Sequence, residues 1–238
     1  MLYDDYMICD NIKMKRSYIA KDVLKCVEMK YHVSNDDKFG YLYDKVLTVH
    51  QKLSMMMFAE FNLHREKENF ESTQNMDIPT LYGMGKTIIL FYFESMLLFA
   101  RNALDVAATV YSDLMFDKRT DSFNELSKWI IKSGDMLLED LKQYLVSSRG
   151  NGLSAFRLLC GSQKGRALRD IIVHQANVKL EYYEYKDNCE KEHLFLLLKD
   201  MEPIDFDWFV SGFIDDIEKL FNITTLCCQK YLEKKMQQ

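Results

Sequence analysis

A chain of 238 residues is long enough to bury one substantial core, and a composition of 48 % apolar and 28 % charged residues excludes disorder as the main state. The two prolines, nine glycines and absence of a Gly/Ser-rich linker favour one mainly helical domain. The N-terminus opens acidic, unlike a signal peptide, and the most apolar stretch, 88–100, contains Glu94 and is closed by Arg101. We therefore expect a cytoplasmic protein that carries a net charge of −5 at pH 7 and does not span a membrane.

The first half of the chain shows apolar residues at helical spacing. It predicts a helical prefix over residues 1–37, a long helix that continues to about Lys67, and a polar loop over 68–77. The next helix, at about 80–116, is apolar on most of its faces. Such a helix is typical of the centre of a bundle.

The second half predicts more helix and one exception. Asp121 or Ser122 can cap a third helix, whose apolar stripe continues to Leu145, and a fourth helical region extends to about His174. Two segments with strand-like patterns at 178–198 then predict a β-hairpin insert, and a last helix begins at about Asp205. The predicted fold is mainly α: a bundle of about five long helices with a small β-hairpin before the last one.

The cysteines and histidines do not form a metal-binding pattern. The six cysteines contain no CxxC pair, and the histidines show no pair four residues apart. We therefore expect reduced cysteines, no metal site and no cofactor.

One stripe of polar residues lies on the otherwise apolar second helix. Glu94, Arg101 and Asp105 return to one side of it, and Arg101 and Asp105 are four residues apart. If these side chains are exposed, they form an ordinary ion pair within the helix. If they are buried, they form a costly polar network that can support a functional site.

The strongest candidate for function is a basic stretch. Between residues 149 and 169 there are five basic residues and no Asp or Glu, in a protein that is acidic overall. Such a reversal of sign suits a polyanion such as RNA, although a solvated basic face gives the same pattern. The residues with which we expect RNA to be bound here are Arg157, Lys164 and Arg166.

Directly after this stretch come Arg169, Asp170 and His174. Asp170 and His174 share a helical face, so the carboxylate can orient the imidazole and raise its basicity. A histidine can move the proton of a ribose 2′-hydroxyl, and an arginine can stabilise charge on the phosphate. Arg169 and His174 lie about 140° apart on an ideal helix, so they converge on one phosphate only at a helix end or across two subunits.

The segment Arg169-Asp170-Ile171-Ile172-Val173-His174 resembles the signature of the HEPN superfamily: an arginine, a polar residue, and a histidine after four to six intervening positions. The position of the motif, late in a helical bundle, is also similar. The resemblance implies one HEPN-like domain over residues 1–238, in which the prefix and the hairpin are additions.

For function, the resemblance implies a metal-independent endoribonuclease, often a toxin or an anti-phage defence effector. It implies a homodimer in which two motifs meet, with Arg169 and His174 catalytic, Asp170 accompanying them, and Glu94, Arg101 and Asp105 as candidate supporting residues. An antitoxin or regulatory protein is a further expected partner. The alternative is a non-catalytic helical module that binds a protein or a nucleotide, in which the same three motif residues serve the fold.

Overall fold

A computed structural model describes residues 17–31, 37–73, 79–150, 153–161, 167, 179–184, 192–197 and 202–237. Its described part is mainly α-helical with one small antiparallel sheet before the last helix, which confirms the predicted fold class. In chain order the elements are α1 (Ser17–Tyr31), α2 (Asp37–Thr73), α3 (Pro79–Phe116), α4 (Phe123–Lys132), a 3₁₀ turn (Met136–Leu138), α5 (Glu139–Gly150), α6 (Ala155–Cys160), β1 (Lys179–Glu184), β2 (Glu192–Leu197), β3 (Ile204–Asp205) and α7 (Phe206–Met236).

The antiparallel pair α2 and α3 forms the base of the bundle and has the most extensive helix–helix contact. Phe70, near the end of α2, lies over Gly85 of α3, where a Cβ atom would come within 2.1 Å of the ring. Further along, the ammonium group of Lys52 lies 5.9 Å from the ring centre of Phe99. These contacts fix which levels of the two helices face each other.

Helices α1 and α7 cover one side of this pair. Val23, Cys26 and Val27 of α1 are fully buried, so this helix is part of the common core. At the other end of the bundle, the ring of Phe93 on α3 packs 5.5 Å from that of Phe206 and 5.7 Å from that of Phe209 on α7. The central position predicted for the 80–116 helix is confirmed: α3 contacts α1, α2, α4, α6 and α7.

The predicted hairpin is present, and it has a third strand that the sequence did not reveal. Strands β1 and β2 pair antiparallel with Leu180 opposite Leu196, and β2 also pairs with the two residues of β3. An ion pair of 3.0 Å between Lys86 Nζ and Glu181 Oε2 ties β1 to α3. The predicted start of the last helix is confirmed, since Asp205 caps α7 by accepting from the backbone N–H of Trp208.

The predicted loop at 68–77 is wrong over its first residues, because α2 continues to Thr73. Two contacts stabilise this polar end of the helix. Phe70 is buried against α3 at Gly85, and Lys67 pairs with Glu71 one turn on at 3.1 Å.

The predicted third helix is two helices. The chain leaves α4 at Lys132, and Ser133 to Asp135 form an extended break before the 3₁₀ turn and α5. Asp135 accepts a hydrogen bond from Leu137 N at 2.9 Å, so the break contains its own start signal for the next element. The apolar stripe continues on both sides, with Phe123, Leu126, Ile130, Leu141 and Leu145 all buried.

One segment among the described residues, Met84–Phe116, is long and apolar enough to cross a membrane by length and composition. It belongs to α3, whose side chains at Phe93, Ala100, Leu104 and Ala107 are fully buried in the protein core. The core helix of a soluble protein passes the same test, but 39 % of the apolar window is buried here, so part of its apolar surface is exposed.

Candidate nucleic-acid interface

The residues that the sequence singled out fall into two groups. Arg169, Asp170, His174, Lys164 and Arg166 lie outside the described residues. Arg157 lies on α6, and Glu94, Arg101 and Asp105 lie on α3. The candidate site is therefore built from the elements that hold α6, because the chain runs from the end of α6 into the Arg169–His174 motif. The fourth helical region, predicted to extend to about His174, begins with α6, which ends at Cys160. Residues 162–166 and 168–178 of this region lie outside the described residues.

Three side-chain contacts fix the beginning of α6. Ser154 accepts a hydrogen bond from Arg157 N at 3.2 Å and donates one to Ser148 O at 2.5 Å. Asp216 of α7 accepts a hydrogen bond from Ala155 N at 2.7 Å. Its second carboxylate oxygen accepts from the Tyr144 hydroxyl at 2.7 Å. Helix α6 is therefore tied to α5 and to α7 before its first turn is complete.

Arg101 of α3 holds the other end of α6. Its Nη1 atom donates to Leu159 O at 3.0 Å and lies 2.8 Å from Cys160 Sγ. The next residue, Gly161, is buried and has φ 77° and ψ 179°, a combination that is essentially restricted to glycine. The direction in which the chain leaves α6 is thus set by one arginine and one glycine.

Asp105 connects this arginine to α4. One carboxylate oxygen pairs with Arg101 Nε at 2.7 Å, and the other accepts the backbone N–H of Phe123 at 2.9 Å. Ser122 occupies the N-cap position of α4 without a side-chain capping bond, so Asp105 caps this helix from α3. The partly buried pair Arg101 and Asp105 therefore joins α3, α4 and α6, which supports the structural interpretation of the stripe.

Glu94 does not take part in this joint. It precedes Arg101 by seven residues, about 10 Å along the helix axis. It forms no hydrogen bond or ion pair in the described part of the chain. Partial burial raises the pKa of its carboxyl group above the ordinary value. The stripe predicted from helical spacing thus contains one joined pair and one separate carboxyl group.

Arg149, at the end of α5, has polar but uncharged partners among the described residues. Its Nη2 atom donates to Ser127 Oγ at 2.9 Å and to Asn124 Oδ1 at 3.5 Å. Its guanidinium carbon lies 5.5 Å from the ring centre of Phe156, a cation–π distance. These contacts hold the half-buried arginine in place, and none of the described carboxylates pairs with its charge.

Arg157 lies beside it on α6. Its Nη1 atom donates to the backbone carbonyl of Arg149 at 3.3 Å. Within the described residues neither Arg149 nor Arg157 forms an ion pair. Of the basic stretch predicted from sequence, the described part therefore contains two arginines, on the consecutive helices α5 and α6, whose charges no carboxylate among the described residues pairs with.

The thiol of Cys160 lies in the same electrostatic environment. Burial raises its pKa to about 12, while the charges of Arg101 and Arg149 act in the opposite direction. Because the reactive form of cysteine is the thiolate, Cys160 is not a nucleophile at neutral pH. Among the described residues no group of three or more His, Cys, Asp or Glu side chains could hold a metal ion.

Sequence reasoning missed a second polar cluster at the far end of α3. Lys30 Nζ donates to the carbonyl of Asp113 at 2.6 Å and pairs with the carboxylate of Asp117 at 2.6 Å. Arg119 pairs with the buried Asp113 at 2.9 Å. Tyr31 donates to Asp113, and Lys235 of α7 pairs with Asp117 at 3.7 Å. The only sequence signal was local, namely Asp113, Asp117 and Arg119 at the end of a helix, since their partners come from α1 and α7.

Neither protein-family models, nor curated proteins, nor solved structures give a match to this chain. The resemblance to the HEPN superfamily therefore depends on the motif residues and on their position late in a helical bundle.

Proposed function

We propose that this protein is a metal-independent endoribonuclease of HEPN type that acts in the cytoplasm as a toxin or an anti-phage defence effector. The observation that supports this best is the pair Arg149 and Arg157. Both arginines are positioned by α5 and α6, neither has a carboxylate partner in the described chain, and both precede the Arg169–His174 motif. Two such guanidinium groups suit the phosphates of an RNA strand.

The chemistry uses one imidazole and one guanidinium at each phosphate. His174, oriented by Asp170, takes the proton of the 2′-hydroxyl, and the 2′-oxygen bonds to phosphorus. The bond to the 5′-oxygen breaks and that oxygen receives a proton, which leaves a 2′,3′-cyclic phosphate and a 5′-hydroxyl end. Arg169 stabilises the charge that develops on the phosphate oxygens. A homodimer brings Arg169 of one copy to His174 of the other.

The substrate of this reaction is RNA in single-stranded loops, because helical RNA has a deep major groove that side chains cannot read. Arg157, Lys164 and Arg166 bind the flanking phosphates. Such an activity in a cell requires control, so an antitoxin or another regulatory protein is the expected partner.

The test is incubation of the purified protein with mixed RNA in an excess of chelator, followed by analysis of the product ends. We expect cleavage that leaves cyclic-phosphate or phosphate 3′ ends. Arg169→Ala and His174→Ala should each abolish it. His64→Ala, which changes a half-buried histidine on α2, is the matched control and should cut like the parent.

Circular dichroism and thermal melting must show that all three variants remain folded. Cleavage by folded His174→Ala at the rate of the parent would refute the assignment of this residue as the proton-transfer group. Cleavage that chelator abolishes would refute a metal-independent mechanism.

A second candidate function is a non-catalytic module that binds a protein partner. It is favoured by the exposed apolar side chains on α2 and α3, among them Phe58 at 65 % and Phe91 at 61 % exposure. In this case Arg169, Asp170 and His174 serve the fold, so His174→Ala would lower the melting temperature. Neither the parent nor His174→Ala would cleave RNA.

A further inference from the structure

A row of exposed apolar side chains follows the outer face of α3. Met84, Ile88, Phe91 and Leu98 are exposed at 62 %, 38 %, 61 % and 38 %. Their spacing of four, three and seven residues is the a/d spacing of a helix that packs along another helix. Phe91 lies about 200° around the helix from the buried Phe93, so the row faces away from α7.

Phe58 and Phe61 of α2 are two further exposed apolar side chains. They are exposed at 65 % and 42 %. The contacts of Phe70 with Gly85 and of Lys52 with Phe99 place them at the level of residues 91–98 on the antiparallel helix α3. Phe58 lies about 200° from the buried Met56, so it also points away from the core. We call these six side chains the outer seam.

We propose that the outer seam is the interface through which two copies of this chain form a dimer. Side chains of this size expose about 150–250 Å² each when fully open, so the six together expose about 600 Å² per copy. Two copies would bury about 1,200 Å² in all, the lower bound of a specific protein–protein interface. Few monomeric proteins leave an apolar patch of this size uncovered.

The spacing of the row on α3 also allows it to pack against the same row of a second copy. Met84 and Leu98 lie seven residues to either side of Phe91. A two-fold axis at Phe91 therefore places Met84 of one copy against Leu98 of the other, with the two Phe91 rings at the centre. Such an isologous contact closes as a dimer and leaves no exposed copy of the seam.

This interface does not depend on the proposed ribonuclease activity. It does lie close to the candidate site, since Arg101, which holds the end of α6, follows Leu98 by one helical turn. With the two-fold axis at Phe91, ten residues from Arg101, the two copies of Arg101 would lie at opposite ends of the interface, about 30 Å apart along the helix axis.

The test is the mass of the protein in solution, measured by light scattering over a range of about a hundredfold in protein concentration. The parent should have twice the chain mass of 28.2 kDa, and Phe91→Glu and Phe58→Glu should each shift it toward the monomer. Met136→Glu, which changes a side chain exposed at 84 % far from the seam in sequence, should remain dimeric. Circular dichroism should be the same for all four proteins.

A second measurement fixes the geometry. Phe91→Cys should form a disulfide between two copies in the presence of a mild oxidant, visible as a dimer band without reductant, whereas Met136→Cys should not. A parent that is a monomer at every concentration would overturn the proposal. A dimer that neither Phe91→Glu nor Phe58→Glu dissociates would also overturn it. The same holds for a monomeric parent whose seam binds lipid vesicles and not a second copy. Loss of RNA cleavage with an intact dimer would count against the nuclease and not against the seam.

Discussion

Two polar clusters contact the C-terminal half of α3, and they differ in how their charges are paired. At its C-terminal end, Lys30, Arg119 and Lys235 each form an ion pair with Asp113 or Asp117. Around α6, Arg101 pairs with Asp105, whereas Arg149 and Arg157 form no ion pair in the described chain.

The difference separates a structural cluster from a candidate binding site. In the cluster at the C-terminal end of α3, three cations share two carboxylates and each cation has a carboxylate partner, so the cluster joins helices through paired charges. Around α6, Arg149 and Arg157 are held by hydroxyl, amide and carbonyl oxygens, and no carboxylate among the described residues pairs with their charge, which can attract an anion. Substitutions in the two clusters should therefore affect different properties, stability in the first and RNA binding in the second.

Asp113→Ala should have the largest effect, and it should be on stability. Asp113 is buried and accepts from Tyr31 and Arg119, so its loss removes the centre of the paired cluster. We expect the free energy of unfolding to fall by about 3 kcal/mol in urea denaturation, as for other buried ionic networks that lose one partner. Asp121→Ala, an exposed aspartate without such contacts in the described chain, should change it little.

An equal loss of stability in both aspartate variants would show that Asp113 contributes no more than a surface residue. The paired cluster would then lose its structural role, and the comparison with the α6 region would fail.

Asp105→Ala should reduce stability by a smaller amount, about 2 kcal/mol. The variant removes the cap of α4 at Phe123 N and leaves Arg101 without its carboxylate. Asp105→Asn keeps an oxygen that can accept from Phe123 N, so it should lie between Ala and the parent in a urea titration. If Asn is no better than Ala, the capping bond contributes nothing measurable.

Arg157→Gln should weaken RNA binding without a loss of fold. Binding of a single-stranded RNA oligonucleotide is measured by fluorescence anisotropy in the His174→Ala background, so that the RNA remains intact. We expect an affinity lower by several fold and a slope of log affinity against log salt that is smaller by about 0.7, the value for one phosphate contact. Arg65→Gln, which changes an exposed arginine paired with Glu66, is the control and should keep the slope. Equal slopes for both variants would argue against Arg157 as a phosphate contact.

Asp117→Asn should give the smallest effect, confined to acid. A hydrogen bond from Lys30 lowers the pKa of the Asp117 carboxyl below its ordinary value. A carboxyl group with a lowered pKa in the folded state adds stability above its unfolded pKa, and this is lost as the pH falls through the folded value. Because the side chain is 66 % exposed, solvent screening keeps the contribution to a few tenths of a kcal/mol. Melting temperatures below about pH 4 should therefore depend less on pH in the variant. If the melting temperature of the variant depends on pH below about pH 4 as strongly as that of the parent, Asp117 makes no such contribution.

The sequence predicted elements whose signal is local. The strand-like patterns in 178–198 predicted the hairpin, and the apolar spacing after about Asp205 predicted α7. It failed where a distant contact decided the outcome. The polar residues after Lys67 suggested a loop, but Phe70 fits over Gly85 and α2 continues. The stripe from Phe123 to Leu145 concealed a break, although Gly134 and the capping residue Asp135 were local signals for it.

The same limit applies to the candidate site. Helical spacing correctly placed Arg101 and Asp105 together, because four residues is a local relation. It could not show that Asp105 caps α4 or that Arg101 holds Leu159, 58 residues further along the chain. The catalytic assignment of Arg169 and His174, which lie outside the described residues, stays a prediction.

Gly161 contributes to the end of α6 through its backbone conformation and carries no charge. Its φ of 77° with ψ of 179° is closed to residues with a side chain, so even an alanine there must rotate the backbone. Such a rotation would leave Arg149 and Arg157, which come before this glycine, with their charges and contacts unchanged. Loss of function by that route would therefore not come from the guanidinium groups of α5 and α6, which makes Gly161 a means of separating backbone conformation at the end of α6 from the charge that precedes it.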